Sequence, residues 1–202
     1  MMKMLKKLFA LAIAVVSVSA SAHVLSPGDH VANIELKDSN GKAQSLYQFA
    51  DQKAVVVMIQ GNGCPIVRLA VPELRAVRDQ FKNRGVEFVL LNTNLQDTPE
   101  SVRAEDKDYE FGLPVWMDNK QAVGEAWHVV RTAEVFVIDP KTWTLKFHGS
   151  IDDRLSYEKQ HPPKHLYLTD ALNSMLAGTK VAVTSVNSPG CLINFPNRPE
   201  TR

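Results

Sequence analysis

A valine-rich apolar run from Ala54 to Ile59 leads into Gln60-Gly61-Asn62-Gly63-Cys64-Pro65, and Val67, Ala70, Val71, Leu74, Val77 and Phe81 then recur at helical spacing. A continuous apolar run suits a central strand covered on both faces, and the spacing after it predicts an amphipathic helix that stops at Gly85. Cys64 therefore stands where a buried strand turns into a helix. A thiol at that point faces unpaired backbone N–H groups and the positive end of the helix dipole, both of which favour the thiolate. The thiolate is the nucleophile in disulfide exchange and in attack on a peroxide O–O bond. Pro65 fits the first helical turn, where its missing N–H costs nothing, and Gly61 and Gly63 let the backbone approach a substrate closely. Pro72 lies inside the predicted helix and is expected to bend it.

The remaining pattern fills out a sheet. Val31 to Lys37 alternates like a half-buried strand and is followed by a turn at Ser39-Asn40-Gly41, which predicts an N-terminal hairpin. Val86 to Leu91 is the next buried strand, and Asp97-Thr98-Pro99 opens a helix. Two βα units in succession imply parallel strands. A short strand at Leu113 to Trp116, a helix from Lys120 to Trp127, a hairpin of Glu134 to Ile138 with Trp143 to His148 across Asp139-Pro140, and a helix from Leu166 to Ala177 complete the order. The expected class is α/β: a mixed central sheet flanked by helices, with an added N-terminal β-hairpin.

The chain opens with Lys3, Lys6 and Lys7, an apolar run from Leu8 to Val16 and small residues ending Ala20-Ser21-Ala22. That is the pattern of a secretory leader with its cleavage site. The expected division is a signal peptide over 1–22, one domain over 23–180 and a tail over 181–202. The leader holds three of the 23 basic residues and none of the 22 acidic ones, so the mature chain has a formal charge of −2. That balance offers nothing to nucleic acid or an anionic membrane, and no later run is long enough to span a bilayer. The expected location is periplasmic or secreted.

Export places the two cysteines, Cys64 and Cys191, where disulfides form and persist. They admit one intramolecular pairing, and four ligand-spaced cysteines of a zinc site are absent. The competing reading of Cys64 is a small buried hydrophobe. Arg68, one turn along the helix, and Arg131, just before a strand, are candidates to place positive charge beside the sulfur, or are solvated structural charges. Of the six histidines, His161 and His165 are the closest in spacing, and Pro162-Pro163 between them forbids the regular helix that would align them. Asp152-Asp153-Arg154 reads as a loop-holding group, since adjacent residues on an extended chain point opposite ways.

The opening through Asn40-Gly41-Lys42, the strand into Gly63-Cys64-Pro65, the segment from Thr132 to Asp139, Gly149-Ser150-Ile151-Asp152-Asp153-Arg154 and Gly190-Cys191 together resemble the peroxiredoxin-like redoxins. These form the AhpC/TSA branch of the thioredoxin-like superfamily, and the resemblance spans nearly all of the mature chain. It implies a thioredoxin-like fold, no cofactor, and a peroxidatic or disulfide-exchanging role for Cys64. Gly61, Asn62, Gly63, Pro65 and Thr132 would then line the substrate's approach. Peroxiredoxins usually carry threonine where this chain has Gly61, and arginine at the position aligned with Ala133, where thioredoxins have a cis-proline. Gly61 and Val67 also fill both places where a local second cysteine would stand.

Cys191 is thus the candidate resolving thiol, carried by a tail that Pro189-Gly190 is expected to keep mobile. The alternatives for it are a static staple or a thiol tucked against Leu192 and Ile193. The function expected is antioxidant or thiol–disulfide chemistry on a peroxide or disulfide substrate, with a thiol reductant as partner. The alternative is a non-catalytic protein that binds copper or a partner protein through the Cys64 loop.

Overall fold

The computed structural model describes residues 24–156, 161–196 and 198. The leader over 1–22, His23 at the expected new terminus and the last residues of the tail lie outside them. Seven strands form one mixed sheet in the order β2-β1-β5-β4-β3-β6-β7. In chain order these are β1 (Glu35–Asp38), β2 (Ala43–Ser45), β3 (Ala54–Gln60), β4 (Val86–Asn92), β5 (Val115–Met117), β6 (Val135–Asp139) and β7 (Thr144–Gly149). The helices are α1 (Pro65–Phe81), α2 (Pro99–Tyr109), α3 (Ala122–Ala126) and α4 (Tyr167–Leu176).

β3 lies at the centre, and all seven of its residues are buried. It pairs in parallel with β4, as a βα unit demands, and antiparallel with β6. Alternate residues of the strand point to opposite faces of the sheet. Ala54, Val56 and Met58 enter a core shared with α1, α4 and Val102 of α2, while Val55, Val57 and Ile59 enter a second core. That second core is closed by Leu25, Val31, Ile34, Trp127 and, from the tail, Ile193 and Phe195. The unbroken valine run thus reflects a strand with two dry faces.

β1 and β2 form the expected hairpin, shorter than the alternation suggests: Val31 and Ile34 are buried against the second core before strand pairing begins. Asp38 fixes its turn, accepting hydrogen bonds from the backbone N–H groups of Asn40 and Lys42 and from the Gln44 amide. α1 runs through Pro72 as one helix. α2 begins with a reciprocal capping box, in which Thr98 accepts from the Ser101 N–H and the Ser101 hydroxyl faces the Thr98 N–H. Asp152 and Glu73 both pair with Arg154, and Asp153 accepts from the backbone of Lys164 and His165, so the Asp-Asp-Arg group does hold its loop together. Among the described residues no helix is long and apolar enough to cross a membrane.

The described part of the tail is held at several points. Its first section runs beside β7, where the His148 N–H donates to Thr184 and the Val186 N–H donates back to His148. It then crosses Thr132, buries Ile193 and Phe195, and ends with Arg198 bonded to Glu125 and the Gly124 carbonyl. The expectation of a mobile tail is not met. Pro189-Gly190 serves a close crossing, and apolar side chains on both sides of that crossing are buried.

Candidate active site

Cys64 is the N-cap of α1, placed at the end of β3 by the turn Gly61-Asn62-Gly63. Its side chain is only 4% exposed, so burial is part of its chemistry. The neighbouring β6 enters the sheet at this same end, because the Ala133 N–H donates to Ile59 and the Ile59 N–H donates to Glu134. That pairing brings Thr132 against the cysteine, with 3.0 Å between Oγ1 and Sγ. Ala133 follows at φ 57° through a trans peptide bond.

The tail supplies the third member. The Thr132 N–H donates to the Cys191 carbonyl at 2.9 Å, and the Cys191 N–H donates to Thr132 Oγ1 at 2.9 Å. The Ile193 N–H continues the ladder to Val130, and Arg131 and Leu192 are bridged antiparallel. Thr132 Oγ1 accepts from Cys191, which leaves its own proton free to point at Cys64. Burial opposes the Cys64 thiolate. Hydrogen bonds from the Cys191 and Thr132 side chains, with smaller help from the backbone N–H groups of Val67 and Cys191, outweigh it and hold the thiol below its ordinary range. Neither cysteine is in a disulfide; Cys64 is buried and Cys191 partly exposed.

Two glycines make this packing possible. A Cβ on Gly61 would lie 2.5 Å from Asn94 Nδ2 and 2.7 Å from the Thr132 methyl. Thr132 thus fills the volume that a threonine at 61 would occupy, and brings a hydroxyl to the sulfur from the turn before β6. A Cβ on Gly190 would meet the Thr132 carbonyl oxygen at 1.7 Å, so the tail crosses here only because this residue has no side chain.

The turn before Cys64 rests on a buried polar network. Asp97 Oδ2 accepts from the Asn62 N–H and from the amides of Asn92 and Asn94, while Gln60 bridges Asn92 and Asn62. Gln60, at the end of an otherwise apolar strand, is the one sequence signal of this network. Both carboxylate oxygens of Glu105 lie 3.0 Å from the Gly63 nitrogen.

Of the residues singled out from the sequence, Cys64, Cys191, Thr132, Gly61, Asn62 and Gly63 converge here. Pro65 lies exposed at the rim. Arg68 is turned aside: its Nε bonds Glu105 at 3.1 Å and its guanidinium lies 4.1 Å over the Tyr109 ring. Arg131 spends its Nη1 on the Gly190 carbonyl at 2.9 Å and so secures the tail. Sequence reasoning missed Glu105, Asp97, Asn92 and Asn94, whose meeting depends on the β4–α2 connection folding back over the turn. Among the described residues no group of three His, Cys, Asp or Glu side chains is placed to hold a metal ion.

Comparison with known proteins bears on the fold and the family. The chain is 28% identical to thiol-disulfide oxidoreductase ResA of Bacillus subtilis over 130 residues, covering 64% of this chain and 71% of ResA. It is 27% identical to the chloroplastic peroxiredoxin Q of Gentiana triflora over 145 residues, covering 70% of this chain and 64% of that protein. The fold superposes on a hypothetical protein of Sinorhizobium meliloti with a TM-score of 0.76 and 30% identity, covering 87% of this chain and 98% of the other. The AhpC/TSA profile matches residues 27–149, a stretch that holds Cys64 and Thr132 and stops before Cys191. More than half of the chain fits that profile and the strand–turn–helix around Cys64 lies inside it, so the chain belongs to the AhpC/TSA family.

Proposed function

We propose that the protein is an exported two-cysteine thiol oxidoreductase of the peroxiredoxin-like kind, with Cys64 as nucleophile and Cys191 as resolving thiol. The observation that carries this reading is the convergence of both cysteines on Thr132, whose Oγ1 lies 3.0 Å from the Cys64 sulfur and accepts the Cys191 N–H at 2.9 Å. A static staple has no use for a hydroxyl aimed at the nucleophile, whereas a thiolate that must form in a buried site needs such donors.

With a hydroperoxide as oxidant, the Cys64 thiolate attacks the terminal oxygen. The O–O bond breaks, the leaving alkoxide or hydroxide takes a proton, and Cys64 becomes a sulfenic acid. The Cys191 sulfur then attacks the Cys64 sulfur, water leaves with the Cys191 proton, and a Cys64–Cys191 disulfide remains. With a disulfide as oxidant, the thiolate attacks one sulfur and releases the other as a thiol, and Cys191 displaces the retained half. A dithiol reductant closes either cycle by taking up the disulfide electrons as two thiols are restored. Because Cys191 already lies beside Cys64, resolution needs no unwinding of α1. No cofactor enters these steps. The leader-like residues 1–22 support a periplasmic or secreted location.

Turnover tests the reading. With dithiothreitol as electron donor, the protein is expected to consume hydrogen peroxide or a small aromatic disulfide catalytically. Cys64→Ser should abolish consumption, and Cys191→Ser should leave a single oxidation event followed by a stalled Cys64. Turnover that survives Cys64→Ser, or that Cys191→Ser leaves unchanged, contradicts the cycle.

A further inference from the structure

α2 presents Ser101, Glu105 and Tyr109 at four-residue spacing, which places them on one helix face, and Asp97 extends the row just before the cap. Each member touches the Cys64 turn or the first turns of α1. Asp97 accepts from the Asn62 N–H, Ser101 takes the Asn62 amide at 3.0 Å, Glu105 takes the Gly63 N–H and Arg68, and Tyr109 lies under Arg68. Glu105 is the middle of this clasp. Its side chain is 10% exposed, so its charge is less screened than that of a surface carboxylate.

Arg68 stands one helical turn beyond Cys64, its backbone N–H 3.2 Å from the Cys64 carbonyl. Unpaired, a guanidinium at the start of α1 would add to the dipole and draw the sulfur further toward the thiolate. Glu105 holds Arg68 Nε, offsets its charge, and occupies the Gly63 N–H that would otherwise be free near the sulfur. The donors left to Cys64 are largely neutral. A thiolate stabilised by charge loses nucleophilicity as its basicity falls, so a restrained Arg68 leaves a more reactive sulfur once the proton is gone.

We propose that Glu105 is a positioning residue that clamps the Cys64 turn and restrains Arg68, setting how strongly positive charge acts on the reacting sulfur. The inference rests on the reading of Cys64 as the reacting sulfur, and its test needs no oxidant.

The reduced full-length protein is alkylated with iodoacetamide across a pH series, and modification of Cys64 is followed by peptide mass. Glu105→Gln keeps an acceptor for Gly63 and removes the charge. It is expected to move the Cys64 profile to lower pH, raising the rate on the acid side roughly threefold, the size of an attenuated charge interaction at a partly exposed site. Arg68→Gln should move the profile the other way. On the Arg68→Gln background, Glu105→Gln should shift it less than on the wild type. An unchanged or higher-pH profile for Glu105→Gln, or an equal shift with and without Arg68, overturns the proposal. If Glu105→Gln does not fold, Arg68→Gln alone decides, and a profile that stays in place or moves to lower pH overturns it. A protein whose profiles shift as expected while neither peroxide nor disulfide is turned over would retain the clasp and lose the two-cysteine cycle.

Discussion

Thr132 connects the two cysteines through a single hydroxyl, which accepts from the Cys191 N–H and donates toward Cys64. Thr132→Val keeps the shape and deletes that hydroxyl, leaving the Cys191 N–H without its acceptor and the sulfur without a donor. A hydrogen bond to a charged group contributes about 1.5–3 kcal/mol, so alkylation of Cys64 at neutral pH is expected to slow by about tenfold or more. An unaltered rate would show that the hydroxyl does not act on the sulfur. Gly61→Thr, the residue usual in peroxiredoxins, collides with Asn94 and Thr132 and is expected to cost about 1–3 kcal/mol in a denaturant titration. The departure from the family pattern at residue 61 is thus a consequence of where this chain carries its hydroxyl.

At the scale of elements, the site is a junction of the β3–α1 turn, the start of β6, the α2 face and the tail. The first was legible in the sequence, because a valine run, a glycine turn and Cys-Pro state a buried strand and a helix start within one short stretch, and Thr132 before β6 was expected at the site only through the family resemblance. The α2 face was not, since Ser101 and Glu105 look like ordinary solvated helix residues until β4 and α2 fold over the Cys64 turn. The position of Cys191 was legible only as an option: the sequence offers one partner, and what docks it is Ile193 and Phe195 entering a core formed by residues far away in the chain. Gly190→Ala tests that docking directly. The added methyl meets the Thr132 carbonyl, so the crossing must move and take Cys191 with it. Oxidised Gly190→Ala protein should form little Cys64–Cys191 disulfide and accumulate sulfenic acid on Cys64, read by a dimedone adduct. Normal disulfide yield would mean that the crossing tolerates a side chain.

Over the whole molecule, the two cores on either face of one sheet make the tail part of the fold, so its redox state and the fold's stability are coupled. A Cys64–Cys191 disulfide closes most of the chain into a loop and is expected to stabilise the protein by about 2–4 kcal/mol, seen as a higher Tm for the oxidised form. The reduced form should also respond to pH. Cys64 is held below its ordinary range in the folded state, so between that lowered value and the range of an unfolded thiol the unfolded chain binds the proton that the native sulfur has released. Stability of the reduced protein from this group therefore rises with pH through that window and is lost as pH falls through the folded value. Cys64→Ser should flatten the slope. The central claim is that the buried thiolate and the tail thiol are redox partners, and the most direct measurement is a non-reducing peptide map after one equivalent of hydrogen peroxide. The expected result is a single cross-linked species joining the Cys64 and Cys191 peptides, formed at the rate at which Cys64 is consumed. Cys64 oxidised to sulfinic acid while Cys191 remains a free thiol would contradict it.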